Sequence, residues 1–407
     1  MFVITPTFKD VFGNEQDSLS ELLYNIPSDA VLIAMSYISS EIHFGKENKT
    51  HTQFKILNRI TQRFGETDRE LIIEKLVPFL SKNGHVFTPA NCLRLSQFVL
   101  LNYQIADIED TTPEQEFRIF KAYLLIAEEY DTETIQLLES AKIGSENDKY
   151  NLHFQRFTWP LLFDQFDLNT GYDATYFLFR ASGLMSFIKN NYKYKTYLDT
   201  FLQKMEKDTY LNYIFDIAGA ITLGYNYEEN QYKVGFNSSD KGKVFWDLMS
   251  LNLGEYLSDK KNMVDYKGIR TKPLYKLENN FYLVMNWAFL EKQLYTGLIF
   301  NFYAQSGIKK VLDFDNYLSL LAEYTEKIFF KRILEKVLLK KHSVLMFDDM
   351  QEEGLPDAYY RVGKNIFFFE LKDTLMNSNI IQSRNFNDII ADLTNKFIDS
   401  MFQFLKF

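Results

Sequence analysis

The chain has 407 residues, 46% of them apolar, and its 54 acidic against 45 basic residues give a formal net charge of −9. That length supports two or three domains with full cores, and the acidic balance argues against a protein that coats nucleic acid along its whole surface. A single cysteine, Cys92, excludes an internal disulfide and any multi-cysteine zinc site, and fits a reducing compartment.

Only 17 Gly and 8 Pro accompany 38 Phe and 26 Tyr, a balance that favours long, well-packed helices. No basic stretch followed by an apolar run opens the chain, and no run of about 18 uncharged apolar residues occurs, so the expected setting is cytoplasmic with no membrane partner.

Residues 17–224 read as consecutive helices. Ser18-x-x-Glu21, Thr67-x-x-Glu70 and Thr112-Pro113-x-Gln115 are capping boxes, Thr88-Pro89 is an N-cap followed by proline, and Gly45, Gly65 and Gly84 are stops. Phe54, Leu57, Ile60 and Phe64 share one helical stripe, and Leu93, Ser96, Leu100 and Tyr103 another. No fixed-period repeat is present. Residues 1–224 are therefore expected to form a helical sensing or interaction region, through which a protein partner or a second copy of the chain would bind.

The texture changes across residues 225–306, expected to be a mixed connecting region. A helix is predicted over 244–256. Residues 273–284 read as strand, Asn279-Asn280 turn and strand, and 286–302 as an apolar helix.

Residues 307–407 carry the remaining domain. Asp313 is placed to cap a helix over 316–341, whose Leu318, Leu320, Leu321, Ile328, Phe329, Ile333, Leu334 and Val337 fall mostly at helical spacing. Its bias towards Lys327, Lys331, Arg332, Lys336, Lys340 and Lys341 is on charge alone an ordinary solvated face, though it suits steering of a phosphate backbone. Strands are predicted over 342–347, 358–362 and 366–370, with Gly363-Lys364-Asn365 as a turn and a helical pattern from about 385. The run Phe367-Phe368-Phe369, apolar on both faces, predicts a central strand.

Chemistry concentrates at Pro356-Asp357 and Glu370-Leu371-Lys372. Strand side chains alternate, so Glu370 and Lys372 share a face, and Asp357, starting the neighbouring antiparallel strand, lies beside them. Two carboxylates, helped by the Leu371 carbonyl, suit Mg²⁺ or Mn²⁺, which keeps waters for a phosphate and a nucleophile. Lys372 would then orient the attacking water and offset developing charge.

These residues, with the apolar run before the glutamate, resemble the PD-(D/E)xK superfamily of restriction-endonuclease-like nucleases. The resemblance covers roughly the last 90 residues, the size of a small domain. It implies a core of helix, three antiparallel strands, helix and a further strand, with acids that bind Mg²⁺ for phosphodiester hydrolysis. It also implies a helix acid, Glu326 or Glu323 one turn earlier, and favours DNA over RNA as substrate. No residues remain after the terminal helix for the last strand, so the expectation is that the chain is truncated, or that the edge strand is dispensable or supplied by a partner.

The expected fold is thus mostly α with a C-terminal α/β domain. The expected function is a metal-dependent endonuclease under a helical regulatory region, an architecture similar to that of bacterial antiviral defence effectors. The alternative is a non-enzymatic helical interaction or scaffold protein with an inactive nuclease-like domain, in which Asp357 only forms a turn and Glu370 to Lys372 only close a strand. His43, His51, His85 and His153 show no metal-binding spacing, and no P-loop, dinucleotide fingerprint or Gly-x-Ser-x-Gly elbow occurs.

Overall fold

The computed structural model describes residues 6–13, 17–45, 49–82, 84–104, 111–140, 174–225, 234–260, 266–338, 341–347, 356–369 and 391; within these, the side chains of 130–140, 225, 279 and 327 are not described. The chain is mostly α-helical and carries two three-stranded antiparallel sheets in its C-terminal half. It divides into two compact units. One comprises Met1–Ala174 with Phe215–Leu294, the other Thr175–Ile214 with Tyr295–Phe407. This division is discontinuous in sequence and does not follow the expected boundaries after 224 and 306.

The first unit begins with helices whose caps follow the sequence signals. Ser18 and Glu21 form a reciprocal capping box on Leu19–Leu22, and Thr88 accepts from the Asn91 amide ahead of Pro89–Leu101. The Thr112 amide donates to the Gln115 side chain at 2.9 Å, and the Gln115 amide donates back to Thr112 Oγ1 at 3.2 Å. Each bond satisfies an amide that the first turn cannot pair internally. Thr67 does not cap. The helix Glu66–Leu80 starts one residue before it, with Gly65 at the N-cap and Glu66 and Asp68 in the first turn, where carboxylates complement the helix dipole.

Strands β1 (Gly235–Asn237), β2 (Leu274–Lys276) and β3 (Phe281–Val284) form this unit's sheet in the order β1-β3-β2. The predicted Asn279-Asn280 turn is a three-residue 3₁₀ turn, Glu278–Asn280, closed by the Leu277 amide on the Phe281 carbonyl, with Asn280 at φ +58°. The helix expected over 244–256 is two helices, Lys243–Met249 and Leu253–Ser258. Between them the Leu251 amide donates to the Leu274 carbonyl at 2.7 Å, and Asn252 restarts the helix by accepting from the Glu255 amide. Residues 225–306 are not a separate connecting region. Tyr275, Leu283, Met285 and Phe289 belong to the same apolar core as Leu32, Ile56, Leu76 and Leu95 of the N-terminal helices. Those helices need the sheet to cover their apolar stripes.

The second unit includes helices Ala174–Asn190, Lys195–Lys204 and Leu298–Gln305. Phe201, Phe302 and Tyr317 are fully buried, with the Phe201 and Phe302 rings 5.5 Å apart and the Tyr317 hydroxyl donating to the Ile299 carbonyl. Asp313 caps the next helix as expected, accepting from the Asn316 amide at 2.8 Å. That helix runs from Phe314–Glu323 through a π-helical stretch, Tyr324–Phe330, into Lys331–Leu338.

Strands β4 (Ser343–Phe347), β5 (Ala358–Val362) and β6 (Asn365–Phe369) follow in the order β4-β5-β6. Gly363 at φ +59° opens a two-residue turn, the conformation that glycine alone adopts without strain. The predicted central strand lies, among the described residues, at the edge of its sheet. Among the described residues β6 pairs only with β5, and Ile366, Phe367 and Phe368 are 49%, 47% and 57% exposed. A continuous apolar run satisfies the pattern of a doubly covered strand without supplying the second cover.

Candidate functional site

Asp357 lies at the entrance to β5, half-buried, next to the fully buried Ala358. Ala358 pairs with Phe347 on β4 and with Phe369 on β6. The Phe369 ring meets Phe330 edge-on at 6.2 Å, and the Lys331 ammonium sits 4.9 Å over the Phe347 ring. One face of the sheet therefore rests on the end of the π-helical stretch. Glu326 is half-buried in that stretch, four residues before Phe330, and so on the same side of the helix. Glu323, one turn earlier, is exposed at the end of the preceding helix.

Glu370, Leu371 and Lys372 lie outside the described residues. Among the described residues no group of three or more His, Cys, Asp or Glu stands close enough to hold a metal ion. By donor type Asp357 and Glu326 would each suit a hard divalent cation, since each brings only carboxylate oxygens.

Two of the described histidines, His43 and His85, are set into the first unit. His43 is buried and hydrogen-bonded to the fully buried Glu291 at 3.0 Å. Beside it the Trp287 indole donates to Ser40 Oγ at 2.8 Å. Burial, and secondarily the nearby charge of Lys49, pull the His85 pKa below its ordinary value. His342 precedes β4 at φ +70°, and His153 lies outside the described residues.

Sequence periodicity missed a second arrangement in this unit. Arg180, on the helix Ala174–Asn190, donates to the Tyr295 hydroxyl at 2.9 Å and to Thr325 Oγ1 at 3.2 Å, and its guanidinium lies 4.0 Å over the Tyr295 ring. Tyr295 belongs to one π-helical turn, Gln293–Gly297, and Thr325 to the other, Tyr324–Phe330. One guanidinium thus joins the two places where the helices are wound wide. π-turns recur at functional sites because the added residue redirects side chains. The signal available in the sequence was the run Ile328-Phe329-Phe330, three large apolar residues in a row that no single 3.6-residue stripe absorbs.

No protein-family model, no curated protein and no solved structure matches the chain.

Proposed function

We propose that the chain is a Mg²⁺- or Mn²⁺-dependent endonuclease, acting on DNA in preference to RNA, whose site is built on the β5–β6 hairpin. The observation that carries this reading is the register. Ala358 is opposite Phe369, so by count a continuation of this pairing would set Asp357 opposite Glu370, which itself lies outside the described residues. Asp357 and Glu370, with the Leu371 carbonyl, would hold the metal, and Glu326 is the further carboxylate. A divalent ion there supplies Lewis-acid activation of the phosphodiester and of water. Lys372 orients the attacking water and offsets charge on the phosphate oxygens. The helical unit would regulate access or assemble the protein with partners, as in an antiviral defence effector.

A second reading, a non-enzymatic interaction protein, is favoured by one observation. The β-sheet face bearing Val344, Met346, Ile366 and Phe368 is 49–61% exposed, an apolar surface of the kind that binds other proteins. The two readings separate in one experiment. Purified protein with Mg²⁺ or Mn²⁺ should cleave plasmid DNA, and Asp357→Ala and Lys372→Ala should each lower the rate by at least about a hundredfold while thermal unfolding stays unchanged. Cleavage persisting in both variants removes the motif from the reaction, and no cleavage with either metal favours the interaction protein.

A further inference from the structure

A cleft of 420 Å³ opens in the second unit between the end of the helix Ala174–Asn190 and the π-helical stretch. Its lining includes Ser186, Phe187, Asn190, Tyr192, Tyr324 and Arg332. The volume falls in the range of small-molecule sites. We propose that this cleft binds a nucleoside phosphate, with Arg332 on the phosphate and the aromatic side chains against the base.

The charge comes first. Among the described residues Arg332 is the only ionisable lining residue charged at neutral pH, no carboxylate lines the cleft, and Arg332 makes no ion pair. A guanidinium at the mouth of a cleft without acids selects an anion, and its planar fork matches phosphate oxygens. The chain's net charge of −9 makes such an isolated cationic cleft more distinctive.

The walls select a flat ring. Phe187 and Tyr324 lie 5.4 Å apart at 32°, and Tyr192 is 94% exposed, an aromatic face left open to a stacking partner. Bases stack on such faces irrespective of identity. Asn190 Nδ2 donates to Ser186 Oγ at 3.4 Å, which leaves the Asn190 carbonyl to accept from a base edge and the Ser186 hydroxyl proton to donate.

The floor is set by close packing. A methyl group on Gly183 would collide with the Tyr324 hydroxyl oxygen, so a larger residue there would have to displace that side chain. The Tyr324 hydroxyl, held protonated by burial, is a donor at that floor. Tyr324, Ile328 and Arg332 line the cleft at four-residue spacing, whereas Phe330, two residues on from Ile328, meets the sheet. The cleft is on the opposite side of the helix from the hairpin, so it is separate from the proposed catalytic site and does not rest on the nuclease reading.

The test is titration calorimetry on the full chain in EDTA, which reads binding without cleavage. The probes are AMP, GMP, CMP and UMP, with adenosine, inorganic phosphate and a 5′-phosphorylated tetranucleotide. At least one nucleotide should bind one-to-one, and its nucleoside and inorganic phosphate should each bind at least tenfold more weakly. Arg332→Gln should weaken nucleotide binding at least tenfold, Arg332→Lys should restore part of the loss, and Tyr192→Ala should weaken it roughly tenfold. Both side chains are exposed, so the variants should unfold at the wild-type temperature. Tighter binding of the tetranucleotide than of every mononucleotide assigns the ligand to a strand end, and equal or weaker binding to a free nucleotide. The proposal is overturned if no nucleotide saturates the protein, if phosphate alone binds as tightly, or if folded Arg332→Gln and Tyr192→Ala bind like wild type.

Discussion

In the first unit β3 buries Tyr282, Leu283 and Val284 completely, while in the second unit β6 leaves Ile366, Phe367 and Phe368 about half exposed. Both strands belong to three-stranded antiparallel sheets, and both sequences are continuous apolar runs. The difference lies in what covers them. β3 lies between β1 and β2 and joins the core of the N-terminal helices, whereas β6 borders only β5 among the described residues. The first sheet serves packing. The second leaves apolar surface exposed, at Ile366, Phe367 and Phe368.

The contrast is sharpest by mutation. Leu283→Ala deletes a fully buried side chain and should destabilise the first unit by about 3 kcal/mol, as other buried leucines do when truncated. Phe368→Ala removes a larger side chain, yet it should cost less than about 1 kcal/mol because most of that ring already contacts water. Hydrogen exchange resolved by peptide would assign each loss to its unit. If Phe368→Ala destabilises as much as Leu283→Ala, the β6 face is covered in solution and the comparison fails.

A second difference concerns how irregular backbone is satisfied. In the first unit Gln53 acts as a surrogate strand. Its Oε1 accepts from the Val86 and Phe87 amides at 3.0 and 2.8 Å, and its Nε2 donates to the Phe87 carbonyl at 2.8 Å. Gln53 is 3% exposed, so truncation strands buried backbone groups away from water. Gln53→Ala should cost about 2 kcal/mol, at the level of an unsatisfied buried polar group, with Gln53→Glu little better because it loses the donor. Denaturant unfolding reads this directly. A cost below about 0.5 kcal/mol would show that water enters and replaces the amide.

Much of this organisation was legible in residue order because it is local. Ser18 with Glu21, Thr88 with Pro89 and Asp313 each announced a helix start through a hydrogen bond spanning three residues. Gly363 likewise announced the β5–β6 turn, and that turn fixed the register on which the candidate site depends. What was not legible is non-local. Residues 175–214 read like any other helices, and nothing in them says that they fold with 295–407. The π-helical stretches were hidden because 3.6-residue periodicity has no place for an added residue, so Arg180 and the Tyr192–Arg332 cleft went unseen. Coverage of β6 was misread for the same reason. Three phenylalanines describe a strand's composition, and its neighbours decide its environment.

The smallest effect is a pH dependence of the first unit. His85 is half-buried, and burial together with the charge of Lys49 holds its folded-state pKa below 6.5. The unfolded chain therefore takes up a proton more readily than the folded one. His85 contributes stability that is fully present above pH 6.5 and is lost progressively as pH falls through 6.5 towards the folded value. Acidification from pH 7.5 to 5.5 should lower the unfolding temperature, and His85→Gln should remove part of that decline. Lys49→Gln should raise the His85 pKa only partly, because burial is the larger cause. An NMR titration of the imidazole in wild type and Lys49→Gln measures both contributions. A midpoint at 6.5 in the folded wild type would abolish the dependence, and one above 6.5 would reverse its sign and leave His85 stabilising on the acid side instead.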